Sequence, residues 1–133
     1  RRVLFRSNVA GSSEWVLGGV VSYANEVKEQ HLGVSAETLS EHGAVSRQTA
    51  CAMAEGVRNR FGSDVGISTT GIMGPGGGTP SKPVGTFWMG IATAERTVAI
   101  KLQLGTDRLR NKERASTAVL DLLRQVLIKQ DEA

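Results

Sequence analysis

The spacing of apolar and polar residues along the chain predicts alternating helices and strands. Apolar side chains recur every three or four positions over residues 47–61 and again from about residue 107 to residue 130, the spacing of amphipathic helices. Short apolar or alternating runs over residues 65–69, 84–93 and 97–104 indicate strands. We therefore expect a layered α/β/α domain, with a mixed sheet covered by helices.

Capping residues support the helix boundaries. Ser46 precedes the helix at residues 47–61 and Gly62 follows it, and Thr106 or Asp107 precedes the last helix. A shorter helix over residues 26–32, with Asn25 as its cap, and a helical turn after Ser35 are also expected.

An earlier apolar run, residues 14–23, contains the pair Gly18-Gly19. Its near-continuous apolar content predicts a strand that is buried on both faces, and the glycine pair indicates a bulge or a close backbone approach. Tyr23, Asn25 and Lys28 follow where this strand gives way to a helix.

A glycine-rich loop, residues 69–80, connects two of the predicted strands. Backbone amides in such a loop can approach an anion closely, so one interpretation is a phosphate-binding or substrate-binding loop. The other is a long hairpin connection without a ligand, because the loop lacks the Gly-Lys-Ser/Thr ending of a P-loop.

Length and composition fit one domain without a membrane span. The chain has 133 residues, of which 40% are hydrophobic, and no apolar run is long enough to cross a bilayer. No secretory signal precedes the domain, so a cytoplasmic location is expected.

The basic character of the chain depends on its first residues. Arg1, Arg2 and Arg6 account for the whole formal net charge of +3. Residues 1–7 resemble the translation of a sequencing adapter, so we expect Asn8 to be the first genuine residue and residues 8–133 to form the domain. The basicity then gives no reason to expect nucleic-acid binding.

Few side chains suit a metal centre or a histidine-based triad. His31 and His42 are the only histidines and Cys51 is the only cysteine, so no metal site is expected. Lys28 has two interpretations: a partly desolvated base acting on a hydroxyl nucleophile, or an ordinary surface lysine. Tyr23, Asn25 and the glycine-rich loop are expected to line the same crevice.

Basic residues crowd the beginning of the last helix, where cations oppose the helix dipole. They indicate either an anionic ligand or a solvated face paired with Asp107 and Glu113. The residues are Arg108, Arg110, Lys112 and Arg114.

Several motifs stand together in order. They are Gly11-Ser12-Ser13, residues 17–28, Leu32-Gly33-Val34, residues 42–46, residues 52–56, residues 70–79 and residues 82–86. In these motifs the chain resembles the C-terminal domain of the competence-damage-inducible protein family, over nearly all of residues 8–127. Members of that family act as nicotinamide-nucleotide amidohydrolases.

The resemblance implies hydrolysis of the carboxamide of nicotinamide mononucleotide, without a metal or an organic cofactor. It implies that Lys28 is the activating base, with Tyr23 as a second catalytic residue. The implied substrate-binding residues are Asn25, Thr70, Gly71, Gly74, Gly76, Arg108 and Arg114. We also expect a homo-oligomer whose partner is a small nucleotide, with neither nucleic acid nor membrane involved.

The chain departs from the family pattern in one place. The family's Glu-Ser-x-Thr-Gly-Gly motif, which supplies the nucleophilic serine, has no counterpart before Gly11. We expect the first strand and helix of the domain to be missing, with an amidohydrolase as the parent protein and an inactive fragment here. The alternative is a non-catalytic nucleotide-binding or oligomerisation module of a larger protein.

Overall fold

The computed structural model describes residues 10–132, with side chains through residue 129. A 3-10 turn at Ser12–Glu14 precedes four helices and three strands. In chain order these are α1 (Asn25–Leu32), α2 (Ala36–His42), α3 (Arg47–Phe61), β1 (Gly66–Gly71), β2 (Thr86–Ala92), β3 (Thr97–Gln103) and α4 (Arg108–Glu132).

The three strands form one sheet in the order β1-β2-β3, and both neighbouring pairs are antiparallel. Thr70 lies opposite Trp88, and Trp88 lies opposite Lys101. The α/β class is confirmed, but the mixed sheet is not found among the described strands. Each strand follows its neighbour through a hairpin-type connection, and such connections produce antiparallel pairs.

Helices cover both faces of this sheet, which confirms the layered arrangement. Phe87, Met89 and Ile91 point toward α4 and pack with its buried apolar residues. On the other face the hydroxyl of Ser68 donates to the Ala50 carbonyl oxygen of α3 at 2.6 Å. Alternation along the strands therefore separates an apolar core under α4 from a close contact with the backbone of α3.

A second core cluster joins the first helices to α3. It contains Leu32, Val34, Leu39 and Met53, with Val20 packed against it. This cluster holds α1 and α2 against α3, on the face of the sheet opposite α4.

The prediction of a buried strand over residues 14–23 is wrong. Beyond the 3-10 turn, residues 15–23 have no regular secondary structure, and Trp15, Val21 and Tyr23 are 82%, 73% and 81% exposed. A strand requires a hydrogen-bonded neighbour, and no strand among residues 10–132 pairs with this segment. Apolar content alone therefore misled the prediction.

Most helix boundaries agree with the capping residues. The hydroxyls of Ser46 and Ser35 accept hydrogen bonds from the amides of Thr49 and Thr38, both at 3.1 Å. The carboxylate of Asp107 accepts one from the Arg110 amide at 3.0 Å. Asn25 is not a cap as predicted, because α1 begins one residue earlier, with Ala24 at the cap position and Asn25 inside the helix.

The expectation that residues 1–7 derive from an adapter falls outside the described residues. None of the helices within residues 10–132 is both long enough and apolar enough to cross a bilayer.

Candidate functional site

The glycine-rich loop leaves the sheet at the end of β1 and returns at the start of β2. Its base is closed by two backbone hydrogen bonds, from the Ile72 amide to the Thr86 oxygen at 2.8 Å and from the Gly85 amide to the Ile72 oxygen at 2.7 Å. The loop is thus anchored where it meets the sheet, while residues 75–81 are exposed.

Asn111 fixes the first limb of this loop. Its side-chain amide, in the first turns of α4, donates to the Met73 oxygen at 3.0 Å and to the Gly105 oxygen at 2.8 Å. The residue is 1% exposed. Sequence reasoning missed Asn111, although it is a polar residue in register with the core-facing positions of an amphipathic helix.

Gly74, a predicted substrate-binding residue, is buried and tightly enclosed. Its φ of +86° lies in the left-handed region that favours glycine, and an added Cβ would approach Val84 Cγ1 to 2.6 Å. Gly76, predicted for the same role, is exposed, and nothing lies within 4 Å of the position its Cβ would take. The loop therefore consists of a fixed part at residues 72–74 and an open part beyond it.

Arg108 brings Tyr23 and the loop together. One terminal nitrogen of its guanidinium donates to the Gly74 oxygen, and the other donates to the Tyr23 hydroxyl, both at 2.9 Å. Tyr23 and the loop were expected to lie close together, and Arg108 connects the two.

Among the residues whose side chains the structure describes, Lys28 is the one buried residue with a charged side chain. It is 5% exposed, and its ammonium donates to the Ser22 oxygen at 2.6 Å. Burial lowers the pKa of Lys28 below the ordinary value of 10.5. No ion pair to Lys28 is formed within residues 10–129. The unpaired, desolvated amine has the properties that a general base requires.

Thr70 and Gly71 lie at the end of β1, beside the loop. Thr70 is 9% exposed, and its hydroxyl donates to the Ala44 oxygen at 2.7 Å, so it joins the strand to the α2–α3 connection. An added Cβ at Gly71 would lie 3.0 Å from the Thr86 oxygen, so a side chain does not fit easily at this position.

Asn25 and Arg114 are exposed. Arg114 lies six residues beyond Arg108, about 9 Å along the helix and roughly 120° around its axis. It makes no hydrogen bond or ion pair with the side chains that the structure describes. The structure therefore does not bring Arg114 to the residues around Gly74, and the roles of all these residues in binding or catalysis stay predictions.

Lys82 fixes the second limb of the loop, and sequence reasoning gave it no role. Its ammonium donates to the His42 oxygen at the end of α2, at 2.6 Å. A cation at a helix C-terminus is favoured by the helix dipole. The loop is thus tied to α4 on one side and to α2 on the other.

Two cavities lie away from the predicted site residues. One of about 510 Å³ is lined by the end of α3 and the β2–β3 turn, and includes Arg58, Thr93 and Arg96. The other, of about 450 Å³, includes His31 and Gly33. Neither is lined by any predicted site residue.

The side chains considered for metal or thiol chemistry do not form a site in the described part of the chain. No group of three or more His, Cys, Asp and Glu residues lies within ligand distance there. Cys51 is partly buried, and that burial raises the pKa of its thiol, which disfavours the nucleophilic thiolate.

The structure thus shows an α/β domain in which Arg108, at the start of the last helix, joins the glycine-rich loop to Tyr23, and in which Lys28, five residues beyond Tyr23, is buried. The family model for the CinA C-terminal domain matches residues 5–127. The chain therefore belongs to the CinA C-terminal domain family.

Relatives of known sequence carry names from the same family. The chain is 51% identical to a CinA-like protein of Salinibacter ruber over 121 residues, which are 91% of this chain and 29% of that protein. It is 49% identical to a CinA-like protein of Gemmatimonas aurantiaca, covering 92% of this chain and 28% of that protein. The chain thus spans less than a third of the length of these relatives.

Solved structures support the same fold. Competence/damage inducible protein CihA from Agrobacterium tumefaciens is 37% identical with a TM-score of 0.83, over 89% of this chain and 73% of that one. The competence damage-inducible protein A from Klebsiella pneumoniae is 28% identical with a TM-score of 0.90, over 95% of this chain and 78% of that one.

Proposed function

We propose that the domain belongs to a nicotinamide-nucleotide amidohydrolase, which converts nicotinamide mononucleotide to nicotinic acid mononucleotide and ammonia. The observation that carries the proposal is Lys28, a residue that is 5% exposed and forms no ion pair in the described part of the chain. Burying a lysine without a countercharge is costly, so its presence favours a chemical role.

The proposed chemistry needs three groups. A neutral Lys28 amine takes the proton of a hydroxyl nucleophile, whose oxygen attacks the carboxamide carbon. Hydrogen-bond donors stabilise the tetrahedral oxyanion, and the lysine then gives its proton to the departing ammonia. Water attacks the resulting ester in the same way and releases the carboxylate.

Support for a bound substrate comes from the loop. Its exposed part includes Gly76 and Gly77, which present backbone amides without side chains of their own. An amide-rich surface suits the phosphate of a nucleotide.

We further propose that the attacking hydroxyl comes from a serine motif upstream of Asn8, and that residues 8–133 alone do not turn over substrate. The corresponding experiment uses the extended chain, defined as residues 8–133 preceded by the native upstream sequence. We expect the extended chain to release ammonia from nicotinamide mononucleotide, and residues 8–133 alone to release none.

Two variants of the extended chain test the role of Lys28. We expect Lys28→Ala to abolish ammonia release, because the nucleophile loses its base, and we expect Lys101→Ala to leave it unchanged. Lys101 is the matched control, because it is an exposed lysine on β3. Normal turnover by the Lys28 variant would refute the mechanism.

The second candidate is a nucleotide-binding module without catalysis. The side-chain partners of the loop favour it, because Lys82 and Asn111 hold the two limbs in place whether or not a bond is cleaved. Binding of nicotinamide mononucleotide by the folded extended chain, measured by calorimetry without any ammonia release, would select this function over the first.

A further inference from the structure

The guanidinium of Arg108 is held in place by partners from two distant parts of the chain. It donates to the Gly74 oxygen in the loop and to the Tyr23 hydroxyl, each at 2.9 Å. We propose that Arg108 is a positioning residue that fixes the Tyr23 hydroxyl relative to the glycine-rich loop. As far as it concerns turnover, this inference rests on the function proposed above.

The loop end of this bridge is rigid. Asn111 holds the neighbouring Met73 oxygen, and the packing of Val84 leaves no space for a side chain at Gly74. Arg108 itself occupies the first residue of α4, whose buried face packs against the sheet. The Gly74 oxygen therefore has a fixed position, and its hydrogen bond with Arg108 can hold the guanidinium in one orientation.

The tyrosine end of the bridge has little other support. Tyr23 is 81% exposed and lies in the irregular segment before α1. Within residues 10–129, the bond to Arg108 is the one hydrogen bond formed by the Tyr23 hydroxyl. Losing Arg108 therefore frees this hydroxyl, whereas the loop keeps its contacts with Asn111 and Lys82.

The bridge requires arginine. A guanidinium is planar and carries donors on two separate terminal nitrogens, so it holds two acceptors in fixed directions. A lysine ammonium has its charge and donors on a single nitrogen. Arg108→Lys therefore retains the charge but cannot donate from two separate nitrogens to the two acceptors. An arginine acting only as a phosphate anchor would be replaced in part by lysine, which separates the two roles.

The first test needs no enzymatic activity, because Tyr23 is the only tyrosine of the chain. Labelling tyrosine rings with ¹³C gives one ring-specific NMR signal set. We expect Arg108→Ala and Arg108→Lys to shift it to the same new position, and Arg110→Ala, in an exposed residue of the same helical turn, to leave it in place. An unshifted signal in the Arg108 variants, or an equal shift in the Arg110 variant, overturns the proposal.

A melting curve for each variant accompanies the spectra. We expect all of them to melt cooperatively, since Arg108 is only partly buried. Should Arg108→Ala fail to fold, Arg108→Lys retains the charge and the aliphatic stem, and its signal decides the question.

The second test is a double-mutant cycle in the extended chain. If Arg108 acts through Tyr23, Arg108→Ala and Tyr23→Phe each lower kcat by about tenfold with little change in KM, and the double variant is no worse than either. A phosphate anchor predicts a raised KM and effects that multiply, which would overturn the proposal. If the wild-type extended chain releases no ammonia, the proposed function fails and the tyrosine signal still decides the role of Arg108.

Discussion

Replacing Asn111 by alanine is expected to loosen the glycine-rich loop and to destabilise the whole domain. The side-chain amide of Asn111 donates two hydrogen bonds, to the Met73 and Gly105 oxygens, and the residue is 1% exposed. Each is worth about 1 kcal/mol, and stranding the carbonyl oxygens away from water adds to the loss. We therefore expect a free energy of unfolding lower by about 2–3 kcal/mol.

The assay is denaturant unfolding combined with backbone hydrogen exchange. For a domain of this size, such a loss corresponds to a melting temperature lower by roughly 6–12 °C. We expect exchange to accelerate at the Ile72 and Gly85 amides, whose hydrogen bonds close the base of the loop, and at the Leu104 amide, which donates to the Gly85 oxygen. Exchange in the middle of β2 should change only as far as global stability does.

Two comparison variants sharpen this test. Asn111→Leu fills the volume but leaves both carbonyl oxygens unpaired, so it should be as destabilising as Asn111→Ala. Asn59→Ala, at an exposed asparagine of α3, should change stability by less than about 0.5 kcal/mol. Equal stability of Asn111→Ala and Asn59→Ala would refute the reasoning, because the two hydrogen bonds of the Asn111 side chain would then contribute nothing to the free energy of unfolding.

Two further predictions concern stability. Because burial lowers the folded-state pKa of Lys28, the folded state binds fewer protons than the unfolded state between that pKa and 10.5, and stability rises with pH there. Lys28→Met should therefore raise the melting temperature at pH 7, and this gain should shrink as the pH approaches 10.5. Lys101→Met, at an exposed lysine, should show no such pH-dependent gain. A gain for Lys28→Met that does not depend on pH would contradict the reasoning. Gly90→Ala should cost about 1–3 kcal/mol in denaturant unfolding, because its Cβ would lie 2.6 Å from the Ala50 oxygen. Gly19→Ala, with nothing within 4 Å of its Cβ, should be nearly neutral, and equal losses at both glycines would contradict the close approach of α3.

Elements with local signals could be predicted from the sequence. The bounds of α3 were predicted correctly because Ser46 and Gly62 stop the helix at both ends and the apolar period is regular between them. The strands β1, β2 and β3 were found within about two residues, since each apolar run is bounded by turn residues.

Features that depend on partners could not be predicted. Residues 14–23 have the composition of a buried strand, but pairing is a property of the neighbouring chain and not of the segment itself. The same holds for the site: burial of Lys28 and the bridge from Arg108 to Tyr23, 85 residues apart, exist only in the folded chain. Asn111, in contrast, is a polar residue on the apolar face of a predicted helix. Assigning the residues of that helix to its two faces would have identified it as a buried polar residue.

The most direct test of the proposed function is the pH dependence of ammonia release from nicotinamide mononucleotide by the extended chain. We predict release that rises with pH and levels off below pH 10.5, because the pKa of Lys28 is lowered and its neutral form is the base. Lys28→Ala should abolish this release at every pH. A folded extended chain that binds the nucleotide without releasing ammonia, or a Lys28→Ala variant with the wild-type profile, would contradict the account.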